Sequence, residues 1–179
     1  MQETWLKPNR RALLFGMSAP AIAALLGLLL VLEVIPGATA TGWTITGWGL
    51  LVLGVLLLAG LAWQLTRPRI AYRNGHVLFF LRSGGPVAVP LDVVEGFLMG
   101  QGAAVPSPDH TDGPQTVTVV ARLSPRDESW SHVEVNPSLG NWCDSYVTIR
   151  GTWCEPLDEK TVRRLNQRLA AAKKGASTK

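Results

Sequence analysis

The sequence predicts a membrane protein with a hairpin of two transmembrane α-helices, followed by a mainly-β domain that ends in an α-helix. Two apolar segments, residues 12–32 and 43–65, contain no charged side chain. Each is long enough, at about 1.5 Å of rise per residue, to cross a hydrocarbon core of about 30 Å. The pattern then changes to short alternating segments and closes on an amphipathic stretch. We therefore expect a membrane hairpin at 1–66, a β domain at 67–174 and a flexible tail at 175–179.

Cations flank the two apolar segments and are missing between them. The connecting residues 34–42 contain no Lys or Arg. The flanking cations are Lys7, Arg10, Arg11, Arg67, Arg69 and Arg73. The positive-inside rule therefore predicts a multi-pass protein of the cytoplasmic membrane with both termini in the cytoplasm. Ala38-Thr39-Ala40 also fits the cleavage motif of a signal peptide, so cleavage there stays open.

The second apolar segment has small residues at positions where two helices could approach closely. Gly47, Gly54 and Gly60 lie within it, and such residues let helix backbones pack in a membrane. The spans themselves could therefore recognise other membrane helices. One alternative function is accordingly an accessory subunit of a transport or envelope complex.

The charge of the β domain excludes nucleic acid as an expected partner. Residues 70–157 carry five basic and nine acidic side chains, although the whole chain has a net charge of +4. The excess positive charge thus comes from the membrane flanks and the C-terminal helix. Binding of nucleic acid needs clustered cations on the folded domain, which this segment lacks.

No cluster of residues predicts an enzyme, a metal site or a cofactor. The three histidines, His76, His110 and His132, have no metal-ligand spacing, and Cys143 and Cys154 lack a second pair of ligands. No serine lies in the glycine pattern of a nucleophile elbow. We expect no catalytic activity, no cofactor, and reduced thiols in the cytoplasm.

Seven strands are predicted in the β domain. Asn74-Gly75 indicates a hairpin between 69–73 and 76–82, because both residues tolerate a positive φ. The remaining segments are strands at 87–90, 93–99 (with a bulge at Gly96), 116–123, 130–135 and 146–152, and a loop at 101–114. Alternation in 116–123 places Val117 with the buried residues and Thr118 on the wet face. This period-2 pattern predicts an antiparallel sheet with one solvated face.

An amphipathic helix follows Pro156. Asp158 is expected to cap its free N–H groups, because a side-chain oxygen at this position can accept a backbone hydrogen bond. The apolar stripe at three- and four-residue spacing consists of Val162, Leu165, Leu169 and Ala172. The stripe predicts that the helix packs on the sheet.

The order of seven short strands and one helix is that of a pleckstrin-homology-like (PH-like) barrel. Residues 70–100, IAYRNGHVLFFLRSGGPVAVPLDVVEGFLMG, resemble the membrane-anchored bacterial PH-domain proteins, in which a strand hairpin leads into a VPL-x-x-V turn and strand. The corresponding residues are Val89, Pro90, Leu91 and Val94. The resemblance covers 67–174 and the hairpin. It implies a PH-like fold held at a membrane, with a non-catalytic role as a scaffold or protein-docking module.

Two candidate surfaces follow from the charge and apolar patterns. The C-terminal helix carries candidate contacts for anionic lipid at Arg163, Arg164, Arg168, Lys173 and Lys174. They define the alternative function of a peripheral lipid-recognition module. Inositide binding is not expected, because the first hairpin offers only Arg73 and Arg82 as phosphate ligands. Leu78 and Phe80 alternate away from the buried face of their strand and are candidate contacts for a protein partner.

Overall fold

A computed structural model describes residues 2–34, 41–82, 84–103, 115–125 and 128–177. The chain divides into two compact units, a helical unit at Arg10–Thr66 and a β unit that joins Met1–Asn9 to Arg67–Lys179. The elements are β1 (Glu3–Leu6), α1 (Arg10–Val31), α2 (Thr41–Thr66), β2 (Ile70–Arg73), β3 (His76–Phe79), β4 (Val87–Pro90), β5 (Val94–Ala103), β6 (Gln115–Leu123), β7 (Gly140–Cys143), β8 (Tyr146–Arg150) and α3 (Glu159–Ser177).

In the helical unit, α1 and α2 are both long and apolar enough to cross a membrane. Only 17% and 11% of their most apolar windows are buried, whereas the core helix of a soluble domain is mostly buried. The two helices pack through small residues: an added Cβ at Gly47 would lie 2.9 Å from Leu30 Cβ, and one at Gly54 would lie 2.8 Å from Ala24 Cβ. These two glycines are confirmed as close contacts. Gly60 is not, because a Cβ there would meet no described atom within 4 Å.

The β unit contains two four-stranded antiparallel sheets, with strand orders β1-β2-β3-β4 and β5-β6-β8-β7. β1 precedes the helical hairpin in the chain, yet it pairs with β2, which follows the hairpin. In that register Glu3 lies opposite Tyr72 and Leu6 opposite Ile70. Residues 2–9 therefore belong to the β unit, whereas the sequence alone predicts a hairpin unit that begins at residue 1.

Residues 7–9 extend this connection. The Glu155 N–H donates to the Lys7 carbonyl at 3.0 Å, and the Asn9 N–H donates to the Trp153 carbonyl at 3.0 Å. Pro8 forms an isolated bridge with Cys154. The N-terminal segment is thus bound to the rest of the β unit by backbone hydrogen bonds as well as by side chains.

One apolar core joins the two sheets and α3. Trp5 is 1% exposed, stacks on Tyr72 with ring centroids 5.4 Å apart, and meets Phe97 edge-on at 6.4 Å. Leu165 and Leu169 of α3 are buried in the same cluster. The predicted stripe of α3 is confirmed, since its other members, Val162 and Ala172, are partly buried against this core.

The local signals of the first hairpin, the bulge and the helix start are confirmed. Asn74 and Gly75 have φ values of 49° and 78°, as a hairpin of the predicted kind requires. The β5–β6 register shifts between Val94 and Gly96, which is the predicted bulge. The Thr161 N–H donates to Asp158 Oδ1 at 2.7 Å. Hydrogen bonds from Thr161 also hold the pKa of the Asp158 carboxyl below its ordinary value.

Several details of the predicted strands are wrong. Residues 130–135 form no strand, and the apolar side chains of Val133 and Val135 pack on the core from irregular backbone. β7, like β1, is a strand that the sequence did not predict. β5 continues through 101–103, because pairing with β6 outweighs the low strand propensity of glycine. Val117 is 36% exposed and Thr118 is 1% exposed, the reverse of their predicted environments.

The ends of two predicted segments also differ from the structure. α3 runs to Ser177, so the first three residues of the predicted tail are helical. The rest of the predicted 101–114 loop, which includes His110, lies outside the described residues.

Candidate docking surface

The arginines that were candidate lipid contacts lie on α3, but each has an acidic partner in the β unit. Arg163 pairs with Glu159 at 3.0 Å, and Arg164 pairs with Glu155 at 2.9 Å. These pairs reduce the positive charge that the helix presents to an anionic surface. Contact with lipid at these residues stays a prediction.

Arg168 links α3 to the N-terminal strand. Its Nη1 donates to the Thr4 carbonyl at 2.6 Å, and its Nε lies 3.7 Å from Glu3 Oε1. The sequence predicted a lipid contact for this residue, and the structure assigns it a second role: it holds β1 in place. Nothing local to β1 or α3 predicts that contact, which joins residues 164 positions apart.

The two lysines near the end of α3 lie in different settings. Lys173 lines an open cavity of about 480 Å³ together with Gly75, Leu91, Asp92 and Ala176. Lys174 is exposed. The cavity offers one cation and one carboxylate, and neither side chain is buried.

The candidate partner contacts in β3 and directly after it are less accessible than the sequence predicted. Leu78 is 8% exposed and Phe80 is half-buried. The backbone of Phe80 is also engaged, since its N–H donates to the Arg69 carbonyl at 3.1 Å. Little of either side chain is available, and contact with a partner at these two residues stays a prediction.

The surface that sequence reasoning missed is the outer edge of β5. Asn166 of α3 donates from Nδ2 to the Phe97 carbonyl and accepts from the Phe97 N–H at Oδ1, both at 2.8 Å. Both main-chain groups of Phe97 therefore point away from β6. Because these groups alternate in an antiparallel strand, those of Met99, Gln101 and Ala103 point the same way.

Past Phe97, this edge is open. We define the β5 edge as the backbone of Met99, Gln101 and Ala103, whose N–H and C=O groups face away from β6 and have no partner among the described residues. Leu98 and Met99 are each 51% exposed. Unpaired strand edges beside apolar side chains are templates for pairing with another strand.

Beyond the bulge at Gly96 and the Asn166 contact at Phe97, the described part of this edge lacks the charged and proline residues that usually protect an edge strand. From Gly96 to Ala103 the strand has no proline and no charged residue, and Glu95, just before this stretch, pairs with Arg122 of β6 at 2.9 Å. The signal in the sequence is the uncharged stretch with glycines at 96, 100 and 102, although these glycines also favour the loop predicted from residue 101. It does not reveal which edge is free, because that depends on the sheet order.

The two cysteines are free thiols in different environments. Cys143 is exposed. Cys154 is buried beside the Arg69 side chain, and burial raises the pKa of its thiol to about 12, although the Arg69 charge acts in the opposite direction. Arg69 is itself 2% exposed and donates from Nε to the Trp153 carbonyl at 3.1 Å. Burial also lowers the pKa of the Arg69 guanidinium.

This difference predicts that a maleimide labels one thiol per native chain at neutral pH. The thiolate is the reactive form, so an exposed Cys143 reacts while a buried, protonated Cys154 does not. Mass spectrometry of the intact chain measures the label. In Cys143→Ser the native label should disappear and return after denaturation. Labelling of native Cys143→Ser at the rate of an unfolded control would contradict the assignment.

The two histidines that the structure describes, His76 and His132, do not form a metal site. His76 Nδ1 lies 3.0 Å from the Asn74 carbonyl, and His132 is exposed. Across the described part of the chain, no group of three or more His, Cys, Asp or Glu side chains could hold a metal ion. No protein-family model, no curated protein and no solved structure matches the chain.

Proposed function

We propose that this protein is a two-span protein of the cytoplasmic membrane that presents its β unit in the cytoplasm as a protein-docking module. The pairing of β1 with β2 supports the two-span topology. A single crossing would leave these strands on opposite sides of a bilayer, whereas two crossings return the chain to the same side. The positive flanks and uncharged connection then favour the cytoplasm as that side.

We further propose that the β unit is a variant of the PH-like barrel. Two four-stranded antiparallel sheets around one core, with a C-terminal helix packed on that core, support this assignment. The unit would differ from the predicted seven-stranded order in its first strand, β1, which precedes the two helices in the sequence.

The observation that carries the docking role is the open β5 edge. It offers unpaired main-chain donors and acceptors beside exposed Leu98 and Met99. Main-chain pairing supplies affinity and neighbouring side chains supply selectivity when a strand is added to a sheet. A non-catalytic role fits a surface of this kind, because it provides contacts but no reactive group.

Lipid recognition by α3 is less well supported. Each nearby cation contributes roughly 1 kcal/mol to binding an anionic surface, and three of the five candidates already have a carboxylate within 4 Å. The role of an accessory subunit of a transport or envelope complex is compatible with docking. In that role the two apolar helices would also recognise other membrane helices.

A photo-crosslinking amino acid placed at Gln101 tests the docking role in intact membranes. We expect a defined protein adduct from this position and none from the matched position Gln167, an exposed residue of α3. The chain should remain in the membrane fraction after an alkaline wash. Equal adducts from both positions, or none from Gln101, would contradict docking at the β5 edge.

A further inference from the structure

We propose that the β5 edge pairs with the β5 edge of a second copy of this chain. The two strands would run antiparallel about a two-fold axis at Gln101. The β5-β6-β8-β7 sheets of the two copies would then form one continuous sheet. This inference rests on the proposed docking role and names the occupant of the edge. Closed two-fold assemblies are the commonest symmetric form of soluble oligomers, and strands related by such an axis pair antiparallel.

The positions of the free main-chain groups fit this arrangement. Phe97 is taken by Asn166, so the open positions are Met99, Gln101 and Ala103, which are symmetric about their middle member. Gln101 would pair with Gln101 of the second copy, and Met99 with Ala103 of that copy. Each such pair can exchange both of its N–H···O bonds in an antiparallel ladder. Every outward-facing group of the described edge would then have a partner.

The charge distribution favours a second copy over a foreign peptide. In a two-fold interface the same surface faces itself, so any charge on that surface is brought close to a like charge on the second copy. An uncharged edge avoids this repulsion. The edge carries no charge from Gly96 to Ala103, and the adjacent strand has none from Gln115 to Ala121. Pairing centred on Gln101 places the two Glu95 residues about 12 positions, or roughly 40 Å, apart. A foreign segment would find no charged side chain on this edge to select it.

Confinement in the membrane would also promote self-pairing. Tethering two binding surfaces to the same layer raises their effective concentration, so an interface that is weak between free domains can be populated. Pairing through three residues of each β5 edge is a short contact of this weak kind.

Disulfide trapping in membranes tests the register directly. In the Cys143→Ser background, with the buried Cys154 retained, Gln101→Cys should give a disulfide-linked dimer on mild oxidation. The matched variant Met99→Cys should not. The proposed register separates the two Met99 positions by four residues, about 13 Å along the strands, which exceeds the roughly 4.4–6.8 Å between Cα atoms in a disulfide. Equal crosslinking of both variants, or none with Gln101→Cys, would overturn the proposed pairing.

A second measurement uses the mass of the full chain in lipid nanodiscs or mild detergent. Gln101→Pro removes an N–H that faces away from β6, so the intrachain ladder is kept while the edge loses a donor. We expect a dimer for the wild type and for the control Gln101→Ala, and a monomer for Gln101→Pro. The thiol protection of Cys154 reports that the β unit remains folded.

A monomeric wild type, or a dimer unaffected by Gln101→Pro, would overturn self-pairing. If photo-crosslinking from Gln101 then yields an adduct with a different protein, docking at the edge stands while the second copy is rejected. If neither a dimer nor any adduct from Gln101 forms, both proposals fail.

Discussion

Trp5→Ala is expected to lower the free energy of unfolding of the β unit by about 3–5 kcal/mol, the usual cost of truncating a fully buried tryptophan. Trp5 is 1% exposed and contacts the aromatic rings of Tyr72 and Phe97. The cavity would open where β1, β2 and β5 meet. Many domains have a total stability of only about 5–15 kcal/mol, so this change should remove a large part of it.

Denaturant unfolding of the full chain, followed through exposure of Cys154, measures this loss. Trp48→Ala is the matched control, because Trp48 is 54% exposed on α2 and makes no part of the β core. A Trp5→Ala variant as stable as Trp48→Ala would show that β1 is not part of the folded core.

A chain without the two helices tests whether β1 stabilises the β unit independently of the helical hairpin. Residues 2–9 joined through a short turn directly to 67–179 should fold, because β1 and β2 are antiparallel neighbours in the sheet. Residues 67–179 alone should be strongly destabilised, since Trp5 and Leu6 would be absent and the edge of β2 exposed. Equal stability of the two chains would contradict the structure.

Gly27→Ala should weaken the packing of α1 against α2 by about 1–3 kcal/mol, the typical cost of overpacking. An added Cβ at this position would lie 2.5 Å from the Leu51 backbone nitrogen and 2.7 Å from the Gly47 carbonyl oxygen. Both are main-chain atoms, so relief requires a shift of one helix relative to the other. The sign of this effect is opposite to helix propensity, because alanine favours a helix over glycine by about 1 kcal/mol.

Gly16→Ala provides the matched control in the same helix. A Cβ at Gly16 would meet no described atom within 4 Å, so this change should leave packing unaltered or stabilise α1 slightly. Unfolding of the helical unit by a denaturing detergent, followed by circular dichroism, compares the two. Equal midpoints for Gly27→Ala and Gly16→Ala would contradict the close contact at Gly27.

The sequence alone determined the features that depend on neighbouring residues. The two apolar helices, the Asn74-Gly75 hairpin, the Gly96 bulge and the Asp158 cap each follow from local periodicity or from the conformational preference of a few residues. Each of these features depends on residues within one turn or one helix, so it can be predicted without knowing the tertiary contacts.

Only the tertiary structure decided the features that depend on distant partners. β1 has four residues, too few to show a reliable alternation of side chains. It becomes a strand because β2 and Arg168, which are distant from it in the sequence, bind it. The free edge of β5 is decided in the same way: the sheet order leaves that side unpaired, and Asn166 closes it only at Phe97. A strand's own sequence specifies which side chains alternate, whereas its neighbours determine which of its main-chain groups remain free.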